Sequence, residues 1–577
     1  MIRRHRSRRT GIAAALLSLT LVAAACGGGD GETDDTEPGE ATTPSTGVTG
    51  VEDEGTPVPG GEVTYGLEAD TTGGFCIPEA QLAISGIQVA RAVYDTLTMP
   101  NADGEITPYL AESVEPNADF TEWTIKLRDG ITFHDGTALD ADIVRDNLLA
   151  WAGLYVDDAG VKIREPLLLL FVFNNLEGAE TVDPLTVKVT TKEPWPGFAW
   201  FLWGSSRFGI VGRAQLDDPE NCNTNLVGTG PFVLEEAVAN QRIVVTKNPD
   251  YWQTDAEGVQ LPYLNKITFI PQESEADRLT ALEAGDLDLM HASSLNVIAD
   301  LRGAKADKTL KVIESNKFGE VSYLLLNGTI APFDNILARQ AVAYANDRQL
   351  GNERLNQGLS TLAEGPFGPG SPGFLDDAGY PDYDPEKAKE LVAEYKAETG
   401  NDLEFTYTFS SDPEGVRTAE FLKEIMAESG ITVNLNPVGD QSTLINLAIG
   451  RGQQAIGWRN HPGGNPDLQY VWWHCDNPAP EACDNLVNFG GWNDPEINAL
   501  LEQGRAEADP VAQQAIYEDL NREFATKLWN LWSGYTLWSI GSQTNVNGVF
   551  GPPLPDGSAP ADGLATGHSL LGLWVSE

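Results

Sequence analysis

After its N-terminus the chain has no apolar run long enough to cross a bilayer; Leu167 to Phe173 is the length of a core segment. Basic residues are scarce, with 37 Lys and Arg against 85 Asp and Glu and a formal net charge of −48. A nucleic-acid ligand needs a basic footprint, so that partner class is excluded. The acidity itself reads as a solvated surface rather than an electrostatic device. There is no Gly-x-Ser-x-Gly elbow, no His-Glu-x-x-His pair and no phosphate loop. Gly228-Thr229-Gly230 lacks a following Gly-Lys-Ser/Thr, and reads as a tight interdomain turn. Nothing argues for catalysis, so the expectation is a protein that is not an enzyme and needs no cofactor. At 577 residues the chain is too long for one core and should divide into two or three lobes.

What is present begins with a leader. Arg3, Arg4, Arg6, Arg8 and Arg9 precede an apolar run from Ile12, which ends in Leu21-Val-Ala-Ala-Ala-Cys26. That ending resembles a lipobox, in which the cysteine becomes the lipidated N-terminus; 1–26 is then a lipoprotein signal peptide anchored at Cys26. Residues 27–59 are Gly, Asp, Glu, Thr and Pro with almost no bulky apolar side chains, a composition expected to stay disordered. As a random coil this tether reaches about 30 Å, enough to hold a domain clear of the headgroups. The expected location is the outer face of the cytoplasmic membrane, or the periplasm, with membrane contact through the lipid alone.

The most informative stretch is Trp123 to Val144. Trp123, Ile125 and Leu127 alternate with Thr124, Lys126 and Arg128, so one strand face is apolar. Asp129-Gly130 suits a tight hairpin turn, Ile131 and Phe133 resume the alternation on a second strand, and Asp135-Gly136 turns again. Asp140 should cap a helix burying Val144, Leu148 and Trp151. Upstream, Val63, Tyr65 and Leu67 mark a first strand, followed by a helix with Ile87, Ala90, Val93, Tyr94 and Leu97 on one face. Downstream, Ser274-x-x-Asp277 opens a helix ending near Gly285, and Asp384-Pro385 opens another burying Ala388, Leu391, Val392 and Tyr395.

The string LRDG, FHDG and D-A-D-I-V resembles the signature of the family 5 extracellular solute-binding proteins, the receptors of peptide and nickel ABC importers. Further blocks match in order: Gly228 to Phe232 with Asn248-Pro-Asp-Tyr-Trp252, Ala284-Gly-Asp-Leu-Asp288, Asn327 to Ala345, and the Asp384-Pro385 helix. The resemblance implies an α/β, periplasmic-binding-protein-like fold: two lobes with a hinge, plus an additional α/β domain. Lobe I would comprise 60–100, 228–312 and 531–577, additional domain II 101–227, and lobe III 313–530. It further implies a monomer that captures a small solute, peptides among the candidates, and delivers it to ABC permease subunits. The rival classes are an exported α/β hydrolase, for which no nucleophile motif is present, and a lipoprotein that senses or scaffolds without transport.

With Cys26 lipidated, Cys76, Cys222, Cys475 and Cys483 remain, and an exported chain should oxidise them. Cys475–Cys483 is the natural local pair, leaving Cys76–Cys222. The competing reading is a metal site from His474, Cys475 and Cys483, which offers only three ligands. His134 beside Asp135 reads as a hydrogen-bonded structural histidine.

The site candidate is Gly457 to Asp467, with Trp472-Trp473 after it. In peptide-binding relatives this stretch carries a Trp and, three residues on, an Asp that pairs with the ligand's α-amino group. Trp458 matches, and His461 stands at the Asp position. The candidate ligand-binding residues are therefore Trp458, Arg459, His461 and Trp472. The expected solute is held by aromatic contact from Trp458 and by an anionic group at Arg459. Trp458 and the tandem tryptophans equally suit core packing.

Overall fold

The computed structural model describes residues 48–51, 54–70, 74–80, 82–204, 207–439, 441–460, 463–478 and 482–576. The leader, Cys26, His461 and most of the expected tether lie outside them.

Three sheets carry the architecture. The first has eight strands in the order Val48–Thr49, Lys311–Ser315, Trp538–Ser542, Leu289–Ala292, Glu62–Leu67, Lys266–Pro271, Arg242–Lys247, Phe232–Val238. The second has six, in the order Thr361–Leu362, Asn530–Tyr535, Val321–Leu326, Ala455–Asn460, Glu404–Ser410, Thr432–Val438. The third is a four-stranded antiparallel sheet, Ala111–Pro116, Glu122–Leu127, Thr186–Thr191, Leu176–Asp183. The chain passes from the first sheet to the second between Ser315 and Val321 and returns between Tyr535 and Trp538. These crossings lie a few residues beyond 312/313 and 530/531, because Lys311–Ser315 still pairs in the first sheet and Asn530–Tyr535 in the second. The crossing segments touch, the Thr536 N–H donating to the Glu320 carbonyl at 2.8 Å.

The alternation at Trp123, Ile125 and Leu127 does put those side chains in the core. Asp140 accepts from the Ile143 N–H at 3.0 Å, and Val144, Leu148 and Trp151 on its helix are fully buried. The expected hairpin partner is different. Glu122–Leu127 is bonded on both edges, by Ala111–Pro116 and Thr186–Thr191, so Ile131–Phe133 has no free edge to join. It folds on itself instead, with the Phe133 N–H donating to Thr137 and the Leu139 N–H to Ile131.

The first helix is Ile84–Val93, and Leu97 lies beyond it. The Val93 carbonyl is taken by the Gly230 N–H at 2.9 Å. A Cβ on Gly228 or Gly230 would lie 2.0 or 2.4 Å from that carbonyl's atoms, so the GTGP turn needs both glycines for close approach. The segment expected as a free tether docks earlier than its composition suggests. Val48–Thr49 pairs with Glu314 and Ser315, because the edge of Lys311–Ser315 is otherwise open, and Glu54 accepts from the Gly548 N–H.

Both disulfides form: Cys76–Cys222 with Cα atoms 5.1 Å apart, and Cys475–Cys483 at 5.3 Å. The metal reading of Cys475 and Cys483 is thereby overturned, since their sulfurs are spent on each other. Among the described residues no helix is long and apolar enough to cross a membrane.

Candidate functional site

The region of the four-stranded sheet meets the segment after the strand Ala455–Asn460 along a seam, Trp195 donating to Asp467 and Phe208 sharing a cavity with Trp472. That strand runs antiparallel to Val321–Leu326, with Trp458 opposite Tyr323. The Trp458 ring packs edge-on against Phe489 at 5.1 Å, and Phe489 also meets Trp472 at 6.2 Å. One aromatic cluster thus joins two of the candidate residues. The tandem pair then divides, as successive residues of a helical turn must. Trp473 is core, stacked on Trp492 and edge-on to Trp532, whereas Trp472 faces a cavity.

This cavity is a small, shallow one, part of it open to solvent. Leu168, Val172 and Phe208, from the region of the four-stranded sheet, form one wall, and Leu468, Val471 and Trp472, from that of the second sheet, the other. Its described lining does not include Trp458. Its one charged group is Arg207. Arg207 donates through Nε to the Leu82 carbonyl at 2.8 Å, and among the described residues no carboxylate lies within ion-pair distance. Burial pulls its pKa down to about 10, with Glu320 opposing the shift, so it remains a cation at neutral pH.

Arg459 is differently placed. Its Nη1 donates to Ser293 Oγ at 2.9 Å, Glu320 and Glu68 lie at 3.6 and 3.8 Å, and the guanidinium sits over Trp538 at 5.5 Å. Burial alone would lower its pKa, but Glu320 and then Glu68, Glu275 and Glu414 more than offset that and raise it. The Arg459 charge thus faces this chain's own carboxylates. Asp467, the nearest following acid, is committed too: it accepts from Trp195 Nε1 and Arg505 Nε. His461 lies outside the described residues.

Arg207 was not among the sequence candidates. The signal for it was present: it is the sole basic residue between Glu193 and Gly212, in a stretch dense in aromatic rings and small residues. A second cavity, beneath Pro552 to Leu554, holds the buried Asp95, whose pKa burial raises to about 7. Thr229, Tyr251 and Trp252 all donate to that carboxylate, so it is satisfied internally. His134 is likewise structural, its Nε2 lying 2.9 Å from the Gly230 carbonyl.

A hinged pair of α/β lobes, an added sheet domain and a cavity at the seam define a solute receptor of the periplasmic-binding-protein type. Residues 105–493 match the family model for bacterial extracellular solute-binding proteins, family 5, and the chain belongs to that family. Its members are extracytoplasmic and deliver solutes to ABC permeases. The chain is 24% identical to the nickel-binding periplasmic protein of Escherichia coli K12 over 441 residues, covering 74% of this chain and 80% of that one. It is 28% identical to the glutathione-binding protein GsiB of Salmonella paratyphi A over 428 residues, covering 74% and 78%. Among solved structures, the binding protein AgaA of A. tumefaciens R10 in complex with agropinic acid superposes with a TM-score of 0.75 at 25% identity, covering 90% of this chain and 99% of that one.

Proposed function

We propose that this protein captures a small organic solute bearing an anionic group in the seam cavity and hands it to an ABC permease. The observation that carries the reading is Arg207: a charged fork in an apolar cavity, with its terminal nitrogens free of ion pairs among the described residues. A guanidinium in that setting is suited to a carboxylate or phosphate. Apolar walls with one placed charge are the ordinary composition of a ligand pocket. The similarity to a receptor complexed with agropinic acid points the same way. In this reading the contiguous lobe spanning Val321–Tyr535 closes onto the remainder, and Trp472 and Phe208 bury the solute's apolar part. Contacts made only on closure are what would shift the hinge equilibrium.

Thermal-shift and calorimetric screening of small carboxylates, tripeptides and their C-terminal amides tests this. An acid should bind, its amide should bind more weakly, and Arg207→Ala should lower affinity about 10- to 100-fold, the worth of one charge-assisted hydrogen-bonded contact. Equal binding of acid and amide, or an affinity that ignores Arg207, would refute the anionic reading. Lipid anchoring at Cys26 is part of the same proposal. Several acyl chains are needed for a durable anchor, so Cys26→Ala should release the protein to the medium or stop its processing. Membrane retention with normal N-terminal cleavage would count against it.

A further inference from the structure

Where the strand Leu289–Ala292 of the first sheet gives way to the helix Leu295–Ala306, the chain reaches across to the other lobe at two points. At the first, Arg459 of the second sheet donates through Nη1 to Ser293 Oγ at 2.9 Å. At the second, Asn296 Nδ2 donates to the Leu355 carbonyl at 3.0 Å, and Asn296 Oδ1 accepts from Gln357 Nε2 at 2.8 Å. Leu355 lies in the last turn of the helix Arg348–Asn356 and Gln357 ends it, between the second-sheet strands Val321–Leu326 and Thr361–Leu362. Asn296 thus spends both ends of its amide on the other lobe.

Ser293 is set up for its contact. A hydroxyl has one hydrogen to give and two lone pairs to offer. The Ser293 hydroxyl donates to Glu275 Oε1 at 3.2 Å, and its backbone N–H donates to the same oxygen at 3.1 Å, so the lone pairs are left for Arg459. Glu275 is itself placed by Arg278, which is fully buried and lies 3.6 Å away. The first lobe meets Arg459 on two further sides. Glu68, just after Glu62–Leu67, lies at 3.8 Å, and the Trp538 ring is centred 5.5 Å from the guanidinium. Glu320, on the crossing segment, lies at 3.6 Å. A chain with a net charge of −48 opposes its own compaction, and a guanidinium held among these carboxylates counters that repulsion.

We propose that Arg459 and Asn296 clasp the two lobes together, so that their closed arrangement is stabilised by the chain's own side chains and not by a solute alone. Both are positioning residues for closure. Arg459 acts through Ser293, whose hydroxyl Glu275 orients, and Asn296 acts through the end of the helix Arg348–Asn356. The clasp rests on the reading of a receptor that closes about its hinge, and makes no use of Arg207 or of the solute's charge.

Single-molecule energy transfer between a dye on each lobe counts closed and open molecules of the full chain with no solute added. Arg459→Ala and Asn296→Ala should each lower the closed-to-open ratio about two- to ten-fold, the worth of a few partly exposed hydrogen bonds and ion pairs. The double variant should lower it further. Arg459→Lys keeps the charge but loses the planar fork, and should fall between wild type and alanine. Neither side chain is buried in the core, so the near-ultraviolet circular dichroism of each variant should match that of wild type. An unchanged ratio in the double variant, or a fall that comes with loss of the near-ultraviolet signal, would overturn the proposal. Should acid and amide solutes bind alike while the ratio falls as stated, the anionic reading fails and the clasp stands.

Discussion

Replacing Asp467 by alanine should destabilise the protein by about 3–5 kcal/mol, the cost of leaving one member of a buried ion pair alone. Asp467 is 1% exposed and Arg505 6%, so neither charge has water to fall back on. Arg505 Nη2 has no hydrogen-bond partner among the described residues, so Asp467 is the group that offsets its desolvation. The same change orphans the indole N–H of Trp195, which is fully buried. Asp467→Asn keeps an acceptor for Trp195 but loses the charge, and should fall between wild type and alanine. Replacing Asp467 and Arg505 together by apolar residues should recover much of the loss, because the unpaired charge is what is costly. Urea denaturation of the four proteins gives the comparison through midpoints at a common slope. A loss below about 1 kcal/mol for the alanine variant would show that water reaches Arg505.

The second large effect is expected at Cys76. Its disulfide to Cys222 spans 146 residues, whereas Cys475–Cys483 spans 8. Chain-entropy closure gives about 5 kcal/mol for the first and about 2.5 for the second, both lowered by any structure left in the unfolded chain. Cys76→Ser also loosens the surroundings of Arg164, which is 1% exposed, pairs with Glu79 and lies 3.4 Å from Cys222 Sγ. Cys475→Ser should therefore be the milder change. Denaturation midpoints of the two variants, with non-reducing peptide mapping of each, decide the matter. Equal losses would mean that the long loop is already constrained in the unfolded state.

Local rules made much of the fold legible. Asp140, Ser274 and Asp384 each accept from the third residue of the helix they were expected to open, because a capping side chain needs only its own neighbours. The apolar alternation at Trp123 reported burial correctly, since burial follows from the strand period alone. The strand's pairing did not follow, because one partner, Thr186–Thr191, lies 60 to 68 positions away. The site divided in the same manner. Trp458 and Trp472 do meet one ring, Phe489, yet which of the tandem tryptophans faces the cavity is a matter of helical phase. Arg459 looked available because Glu68 and Glu320 are distant in sequence and reach it only after the sheets assemble. Arg207 went unnoticed for the converse reason: what distinguishes it is that no carboxylate among the described residues pairs with it, a property of assembled space.

The two crossings between the sheets also govern the order in which the molecule can be built. Trp538–Ser542 sits inside the first sheet, bonded to Leu289–Ala292 on one side and Lys311–Ser315 on the other. A chain emerging N-terminus first therefore exposes two unsatisfied strand edges until nearly its last residues arrive. The second sheet, contained within 321–535, has by then every strand it needs. The later lobe should thus be complete before the earlier one, with the first lobe's open edges left as the aggregation-prone stage of secretion.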